Sequence, residues 1–135
     1  MEEQKNLRVL VVEDEADIAE IYRRHLTKLG CEVTVAQTGE AALAVAPTYD
    51  PDIAFVDTML PDMLGTTVVE GLRADGRTAR CTVIVASGLD PALQDVGADG
   101  VMSKPFSGGD LRDIIDQYVP KKVEHKSEIH RPPAE

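Results

Sequence analysis

Cysteine is scarce in this chain. The 135 residues include only two cysteines, Cys31 and Cys81, which lie fifty positions apart. They form no Cys-x-x-Cys pair, and His25, His125 and His130 do not stand at metal-ligand spacing to them. This excludes zinc-finger and dithiol redox motifs, and it favours two small buried thiols.

Basic residues are also few. Lys and Arg number 14 against 24 Asp and Glu, which gives a formal net charge of −10 at pH 7 and a pI near 4.7. Binding to nucleic acid without sequence preference needs a basic face, and so does docking on an anionic membrane surface. The charge balance therefore disfavours nucleic acid and membrane as direct partners of this domain.

Long apolar runs are missing. No segment approaches the roughly 20 apolar residues that span a bilayer. The first residues, Met1-Glu2-Glu3-Gln4, lack the basic and apolar parts of a signal peptide. These two absences predict a cytoplasmic protein.

The length and composition predict one globular domain. A chain of 135 residues with 43% hydrophobic residues can bury a core without disulfides or a structural metal. The last fifteen residues are polar, lack periodicity and contain Pro132-Pro133. We therefore expect a domain over residues 1–120 and a disordered tail or linker over residues 121–135.

Two hydrophobic periods alternate along the chain. Short apolar runs predict five strands, over residues 7–12, 33–35, 53–56, 83–86 and 101–103. Helical spacing predicts the intervening helices, over residues 18–29, 38–46, 67–74, a short segment opened by Asp90-Pro91, and 111–119. This strict alternation predicts an α/β fold, a doubly wound parallel sheet with helices on both faces.

The ends of these helices carry recognisable signals. Gly30 stands where the first helix should end, and Thr38 is placed to cap the second. Pro47 is expected to stop the second helix, because proline cannot continue a helical ladder. Ser107 or Asp110 is expected to cap the last helix.

Polar side chains follow four of the five predicted strands. Glu13-Asp14 ends the first strand, Asp57 the third, Ser87 the fourth and Lys104 the fifth. Each has an unremarkable explanation alone, such as a helix-dipole or turn residue. The carboxyl ends of parallel strands share one edge, where sites form in such folds. We therefore expect these five side chains to form one site.

Their combined chemistry is coherent. Clustered carboxylates repel one another, and a hard cation such as Mg²⁺ removes that cost by taking oxygen ligands. A carboxylate beside such a cation can serve as a nucleophile toward phosphorus. An ammonium and a hydroxyl can then stabilise the charge on the phosphoryl oxygens.

Four motifs in order give the chain a family resemblance. They are Val11-Val12-Glu13-Asp14-Glu15, residues 56–65 (VDTMLPDMLG), residues 83–88 (VIVASG) and Ser103-Lys104-Pro105-Phe106. The chain resembles, over about residues 7–119, the receiver domain of two-component response regulators. The resemblance implies a flavodoxin-like (βα)5 fold with strand order 2-1-3-4-5. In that order Cys31 and Cys81 lie too far apart for a disulfide.

The resemblance also implies a role for each site residue. Asp57 would be the phosphoacceptor, and the Mg²⁺ ligands would be Glu13, Asp14, Asp57 and the backbone carbonyl of Met59. Ser87 and Lys104 would contact the phosphoryl group, and the Lys104-Pro105 peptide bond would be cis. The implied partners are a sensor histidine kinase or phosphotransfer protein and an unknown downstream protein.

The sequence departs from the family pattern at two places. Val101 stands three residues before Lys104, where receivers usually carry Tyr or Phe. Only seventeen positions separate Ser87 from Lys104, which predicts a shortened fourth helix. Both changes fall on the surface that receivers use for output. In this family, the residues two positions after the phosphoacceptor and two after the hydroxyl residue influence the attack of water. Here they are Met59 and Leu89, both apolar, so the resemblance implies slow autodephosphorylation because neither can orient a water.

Two alternative functions remain open at this point. An atypical receiver acting mainly as a protein-interaction module would explain Val101 and the short helix. An aspartate-nucleophile phosphohydrolase would share the fold and the acyl-phosphate. However, such enzymes need a second aspartate two positions after the nucleophile, and Met59 occupies that place.

Overall fold

The computed structural model describes residues 7–87 and 97–118. It contains five strands, which are β1 (Arg8–Val12), β2 (Glu32–Ala36), β3 (Ile53–Asp57), β4 (Thr82–Ser87) and β5 (Gly100–Ser103). Four helices accompany them in the described ranges: α1 (Ala16–Lys28), α2 (Gly39–Tyr49), α3 (Gly65–Ala74) and α4 (108–118). The predicted alternation of strands and helices is confirmed in these ranges. The short helix expected after Asp90 and the expected tail over 121–135 lie outside the described residues.

All five strands are parallel, in the order β2-β1-β3-β4-β5. This confirms the flavodoxin-like order 2-1-3-4-5. At the carboxyl edge, Val12 is level with Val56 of β3, and Ser87 is level with Ser103 of β5. The register therefore brings the residues that follow or end β1, β3, β4 and β5 to one edge of the sheet.

Helices cover both faces of the sheet, because alternate strand residues point to opposite sides. Leu10, Val12, Ala54 and Val56 pack against residues of α2 and α3. The residues between them pack against α1 and α4, and this second cluster includes Val9, Val11, Ile53, Phe55, Ile84 and Ala86. β1 and β3 are buried by both clusters, which explains their nearly continuous apolar sequence.

The end of α2 differs from its prediction. Thr38 caps the helix as expected, since its Oγ1 accepts from the Ala41 N–H at 3.0 Å. Pro47 does not stop the helix, which continues to Tyr49. The buried Tyr49 hydroxyl lies 3.1 Å from the carbonyl oxygens of both Val9 and Glu32, and this anchor holds the last turn.

The start of α4 resolves an alternative. Ser107 and Asp110 cap the helix reciprocally, because the Ser107 N–H donates to Asp110 Oδ2 at 2.8 Å and the Asp110 N–H donates to Ser107 Oγ at 3.1 Å. The helix begins at residue 108, which is the start that a Ser107 cap predicts. Cys31 and Cys81 are both buried, as the sequence predicts. No helix of the described chain is long and apolar enough to cross a membrane.

Candidate functional site

The carboxyl edge of the sheet collects the side chains that the sequence singled out. Glu13 and Asp14 follow β1, Asp57 and Ser87 are the last residues of β3 and β4, and Lys104 follows β5. The Lys104 N–H donates to the Ser87 carbonyl at 3.0 Å, which joins the ends of β4 and β5. The expectation that these residues share one edge is confirmed.

Three carboxylates converge at this edge. Glu13, Asp14 and Asp57 each offer an oxygen, and these oxygens lie within 4.8 Å of one another. Glu13 is 1% exposed and Asp57 9% exposed, whereas Asp14 is open to solvent. Three carboxylate oxygens at this spacing fit a small hard cation, which takes oxygen ligands and keeps some waters.

Lys104 reaches into this cluster from β5. Its Nζ lies 2.9 Å from Asp57 Oδ1 and 3.3 Å from Glu13 Oε1. Burial by itself would lower the pKa of Lys104, but the hydrogen bond to Asp57 and the charges of Glu13 and Asp57 outweigh it and raise that pKa. The ammonium therefore stays charged beside Asp57. The peptide bond from Lys104 to Pro105 is cis, as expected.

Glu13 is the most buried member of the cluster. Its Oε2 accepts from the Glu15 N–H at 3.1 Å, and its own N–H donates to the Ala36 carbonyl at 3.0 Å. Burial is the largest influence and raises the pKa of Glu13, and the charge of Asp57 raises it further. The contacts from Glu15 and Lys104 lower that pKa but only in part. Without a metal ion, the folded state therefore pays a free-energy cost for keeping Glu13 charged.

The loop after Asp57 folds back on itself. The Leu60 N–H donates to the Met63 carbonyl at 3.2 Å, and the Gly65 N–H donates to the Thr58 carbonyl at 2.7 Å. Met59 pairs with Leu64 across this loop, and the Met59 side chain is 71% exposed. A Cβ on Gly65 would collide with the Asp57 carbonyl oxygen, so glycine is required there for close backbone approach.

Asp62 is a contact residue that sequence reasoning missed. Its Oδ1 accepts from the Gly39 N–H at 2.8 Å and its Oδ2 from the Glu40 N–H at 2.9 Å, at the start of α2. The partners lie 23 and 22 positions away in sequence. No local sequence pattern could have identified these partners, because an Asp after Pro61 indicates only a turn.

The structure describes one of the two departures from the family pattern, Val101, and not the other. Val101 lies half-buried in β5, in register with Val85. Gly100 precedes Val101 in β5. A Cβ built on Gly100 would lie 2.5 Å from the Tyr118 hydroxyl, so the Tyr118 side chain of α4 packs against β5. The short helix predicted between β4 and β5, and Leu89 with it, lies outside the described residues.

Comparison with known proteins decides the family. A family model described as the response regulator receiver domain matches residues 9–116. The chain belongs to this family. It is thus a receiver domain of two-component signal transduction, and receiver domains of response regulators are phosphorylated by histidine kinases.

Curated relatives are similar over most of this chain. The transcriptional regulatory protein KdpE of Mycobacterium tuberculosis is 37% identical over 102 residues, which cover 73% of this chain and 44% of that protein. The alkaline phosphatase synthesis transcriptional regulatory protein PhoP of Bacillus subtilis is 33% identical over 133 residues, or 96% of this chain and 53% of PhoP. This receiver domain spans about half the length of these relatives.

Solved structures share the fold. A CheY-like receiver domain from Methanospirillum hungatei has a TM-score of 0.81 at 26% identity and covers 90% of this chain and 99% of its own. The receiver domain of a sensor histidine kinase from Pseudomonas aeruginosa has a TM-score of 0.80 at 23% identity, covering 86% and 99%. That second structure holds a magnesium ion in its active-site cleft.

Proposed function

We propose that this receiver domain is a Mg²⁺-dependent phosphoacceptor switch of a phosphorelay, phosphorylated on Asp57. The observation that carries the proposal is the placement of Asp57 between two acidic neighbours and the Lys104 ammonium, which is 2.9 Å from its Oδ1. A carboxylate in such a setting can attack phosphorus and form an aspartyl-phosphate. The donor would be a phosphohistidine on a sensor kinase or phosphotransfer protein, and the exchange would take place in the cytoplasm.

The transfer step needs few groups from this chain. The bond between phosphorus and the donor imidazole nitrogen breaks, and that nitrogen keeps the electron pair. A new bond forms between phosphorus and an Oδ atom of Asp57. Lys104, already positioned at Asp57, would stabilise the charge of the phosphoryl oxygens, and the Ser87 hydroxyl at the end of the adjacent strand would assist.

The residues present fit a bound Mg²⁺ ion. Glu13, Asp14 and Asp57 would hold it with their carboxylates. Met59 would add its backbone carbonyl, as the family resemblance implies. The ion would supply positive charge that offsets the repulsion among the carboxylates and the incoming phosphoryl oxygens. The magnesium ion in the Pseudomonas aeruginosa receiver domain supports this assignment.

The product would persist and act as a signal. The Met59 side chain is exposed at the site and carries a thioether, which cannot orient an attacking water. We therefore expect slow autodephosphorylation and no turnover of external substrates. Met59→Asn should shorten the lifetime of the phosphorylated chain several-fold in buffer without a phosphatase. A lifetime equal to that of the parent chain would contradict this role for position 59.

Intact-protein mass spectrometry tests the proposal. The full chain is incubated with acetyl phosphate, with and without Mg²⁺, beside Asp57→Ala and the distant control Asp52→Ala. We expect a Mg²⁺-dependent gain of one phosphoryl group on the parent and on Asp52→Ala, and none on Asp57→Ala. No gain on the parent from acetyl phosphate or from kinases would overturn the proposal and favour an interaction module. Steady hydrolysis of an added phosphoester would instead favour a phosphohydrolase.

A further inference from the structure

The side chain of Asp62 attaches the loop that follows Asp57 to helix α2. Both carboxylate oxygens of Asp62 accept backbone N–H bonds, from Gly39 at 2.8 Å and from Glu40 at 2.9 Å. Asp62 is itself exposed, so these bonds are not a by-product of core packing. A carboxylate is well matched to this position, because the N-terminus of a helix carries a partial positive charge.

A second contact fastens the same loop at the same place. The side chain of Met63 packs so closely on Gly39 that a Cβ there would collide with Met63 Cγ. Gly39 is buried under it. The two contacts come from consecutive residues and lock the loop against the first turn of α2.

The two arms of this loop are hydrogen-bonded to each other. These bonds connect the point where the loop contacts α2 to the residues beside Asp57. Leu60 donates to the Met63 carbonyl at 3.2 Å, and Met59 is bridged to Leu64. Met59 is the residue assigned to the Mg²⁺ ion through its carbonyl. The backbone that carries this carbonyl is therefore tied, within three residues, to the point held by Asp62.

Asp62 supplements the local cap of α2. Thr38 already provides the local cap of α2 through the Ala41 N–H at 3.0 Å. Asp62 accepts from two further N–H donors of the first turn, and it does so from the loop that leaves the phosphoacceptor strand. The bonds from Glu40 and Gly39 lower the pKa of Asp62, so the carboxylate is charged at neutral pH.

We propose that Asp62 is a positioning residue of the phosphoacceptor site, which holds the Met59 carbonyl in place by binding the first two N–H groups of α2. This inference rests on the proposed function. Outer groups that orient metal ligands commonly affect metal affinity about 10- to 100-fold when removed. Loss of Asp62 should therefore act on the Mg²⁺ requirement of phosphorylation more than on the rate at saturating Mg²⁺.

The test measures the initial rate of Asp57 phosphorylation by acetyl phosphate across a Mg²⁺ titration, for the full chain and three variants. Asp62→Ala removes both bonds, and Asp62→Asn keeps one acceptor oxygen. Thr38→Ala is the matched control, since it weakens the cap of the same helix without touching the loop. We expect the half-saturating Mg²⁺ concentration to rise about tenfold in Asp62→Ala. Asp62→Asn should lie in between, and Thr38→Ala should match the parent.

The outcomes separate this proposal from the one on which it rests. No phosphorylation of the parent chain at any Mg²⁺ concentration would overturn the phosphoacceptor function, and the role of Asp62 with it. A normal parent with an unchanged Mg²⁺ midpoint in Asp62→Ala would overturn only the role of Asp62. Equal shifts in Asp62→Ala and Thr38→Ala would reduce Asp62 to a structural cap. Circular dichroism shows whether Asp62→Ala is folded. If it is unfolded, Asp62→Asn is the deciding variant, and a half-saturating Mg²⁺ concentration equal to that of the parent would overturn the proposal.

Discussion

The two edges of the sheet use polar residues in opposite ways. At the amino edge, Arg73 donates to the Gly97, Ala79 and Cys81 carbonyls and to Asp99, which in turn accepts from the Val83 N–H. At the carboxyl edge, among the described residues, three carboxylates converge and Lys104 contacts two of them. The first edge matches donors with acceptors and favours stability. The second holds like charges together, which favours ligand binding over stability.

Lys104→Ala should have the largest effect at the carboxyl edge. It removes the ammonium that lies 2.9 Å from Asp57 Oδ1, and the phosphorylation rate from acetyl phosphate should fall about 100-fold. The measurement is the initial rate at saturating Mg²⁺. Lys28→Ala, at the end of α1, is the control and should keep the parent rate. A loss below about threefold in Lys104→Ala would show that this contact is not used in the transfer.

Arg73→Ala should have the largest effect at the amino edge. The substitution leaves backbone carbonyls and Asp99 without their charged donor, and we expect a loss of about 2–3 kcal/mol in the free energy of unfolding. Urea denaturation measures this loss. Arg77→Ala is the matched control, because Arg77 is exposed and bonds only to nearby Asp75 among the described residues. Similar losses in both variants would argue against a special role for Arg73.

Glu13→Gln should stabilise the chain in the absence of Mg²⁺, by about 1 kcal/mol, since it removes one of the clustered charges. The folded state raises the pKa of Glu13 above its ordinary value of 4.5, so the folded state binds that proton more tightly than the unfolded state. The Glu13 contribution to stability is therefore present at low pH and is lost as pH rises from 4.5 through the folded pKa.

Urea midpoints measured across this pH window, without Mg²⁺, test the sign. The parent should lose stability relative to Glu13→Gln as pH rises, and saturating Mg²⁺ should reduce the difference. A parent that gains stability relative to the variant over the same window would contradict the clustering argument.

Substitutions of the two buried tyrosines should have the smallest effects on the free energy of unfolding. Tyr49, at the amino edge, places its hydroxyl 3.1 Å from two carbonyl oxygens, and Tyr49→Phe should cost about 1 kcal/mol. Tyr22 is 1% exposed, and its hydroxyl has no hydrogen bond within residues 7–87 and 97–118. Tyr22→Phe should therefore leave stability unchanged or raised. Equal losses in the two variants, measured by urea denaturation, would show that Tyr22 has a polar partner.

Most of the site could be predicted from the sequence because it follows the ends of strands. A short apolar run ending in Asp57 indicates both a buried strand and the polar residue at its edge. Parallel pairing then brings such ends together without any knowledge of side-chain contacts. The family resemblance added the roles of these residues, which remain proposals here, and the cis bond before Pro105, which is confirmed.

The errors have a common cause. Pro47 was expected to end α2, but Tyr49 is held by carbonyls of β1 and β2, far away in sequence. Ile21 fits the helical spacing of the apolar residues in α1, yet it is 38% exposed. Local patterns describe what a segment prefers, whereas packing against other elements decides where it ends and what it covers.

The sequence by itself determined the order of strands and helices, the acidic charge balance and the identity of the polar residues at each strand end. These follow from periodicity and composition, which are local properties of the chain. Only the tertiary structure decided that Lys104 bonds to Asp57 and Glu13, and that Asp62 binds the start of α2. Such contacts join residues 22 to 91 positions apart, and their geometry exists only once the sheet register and the loops are formed.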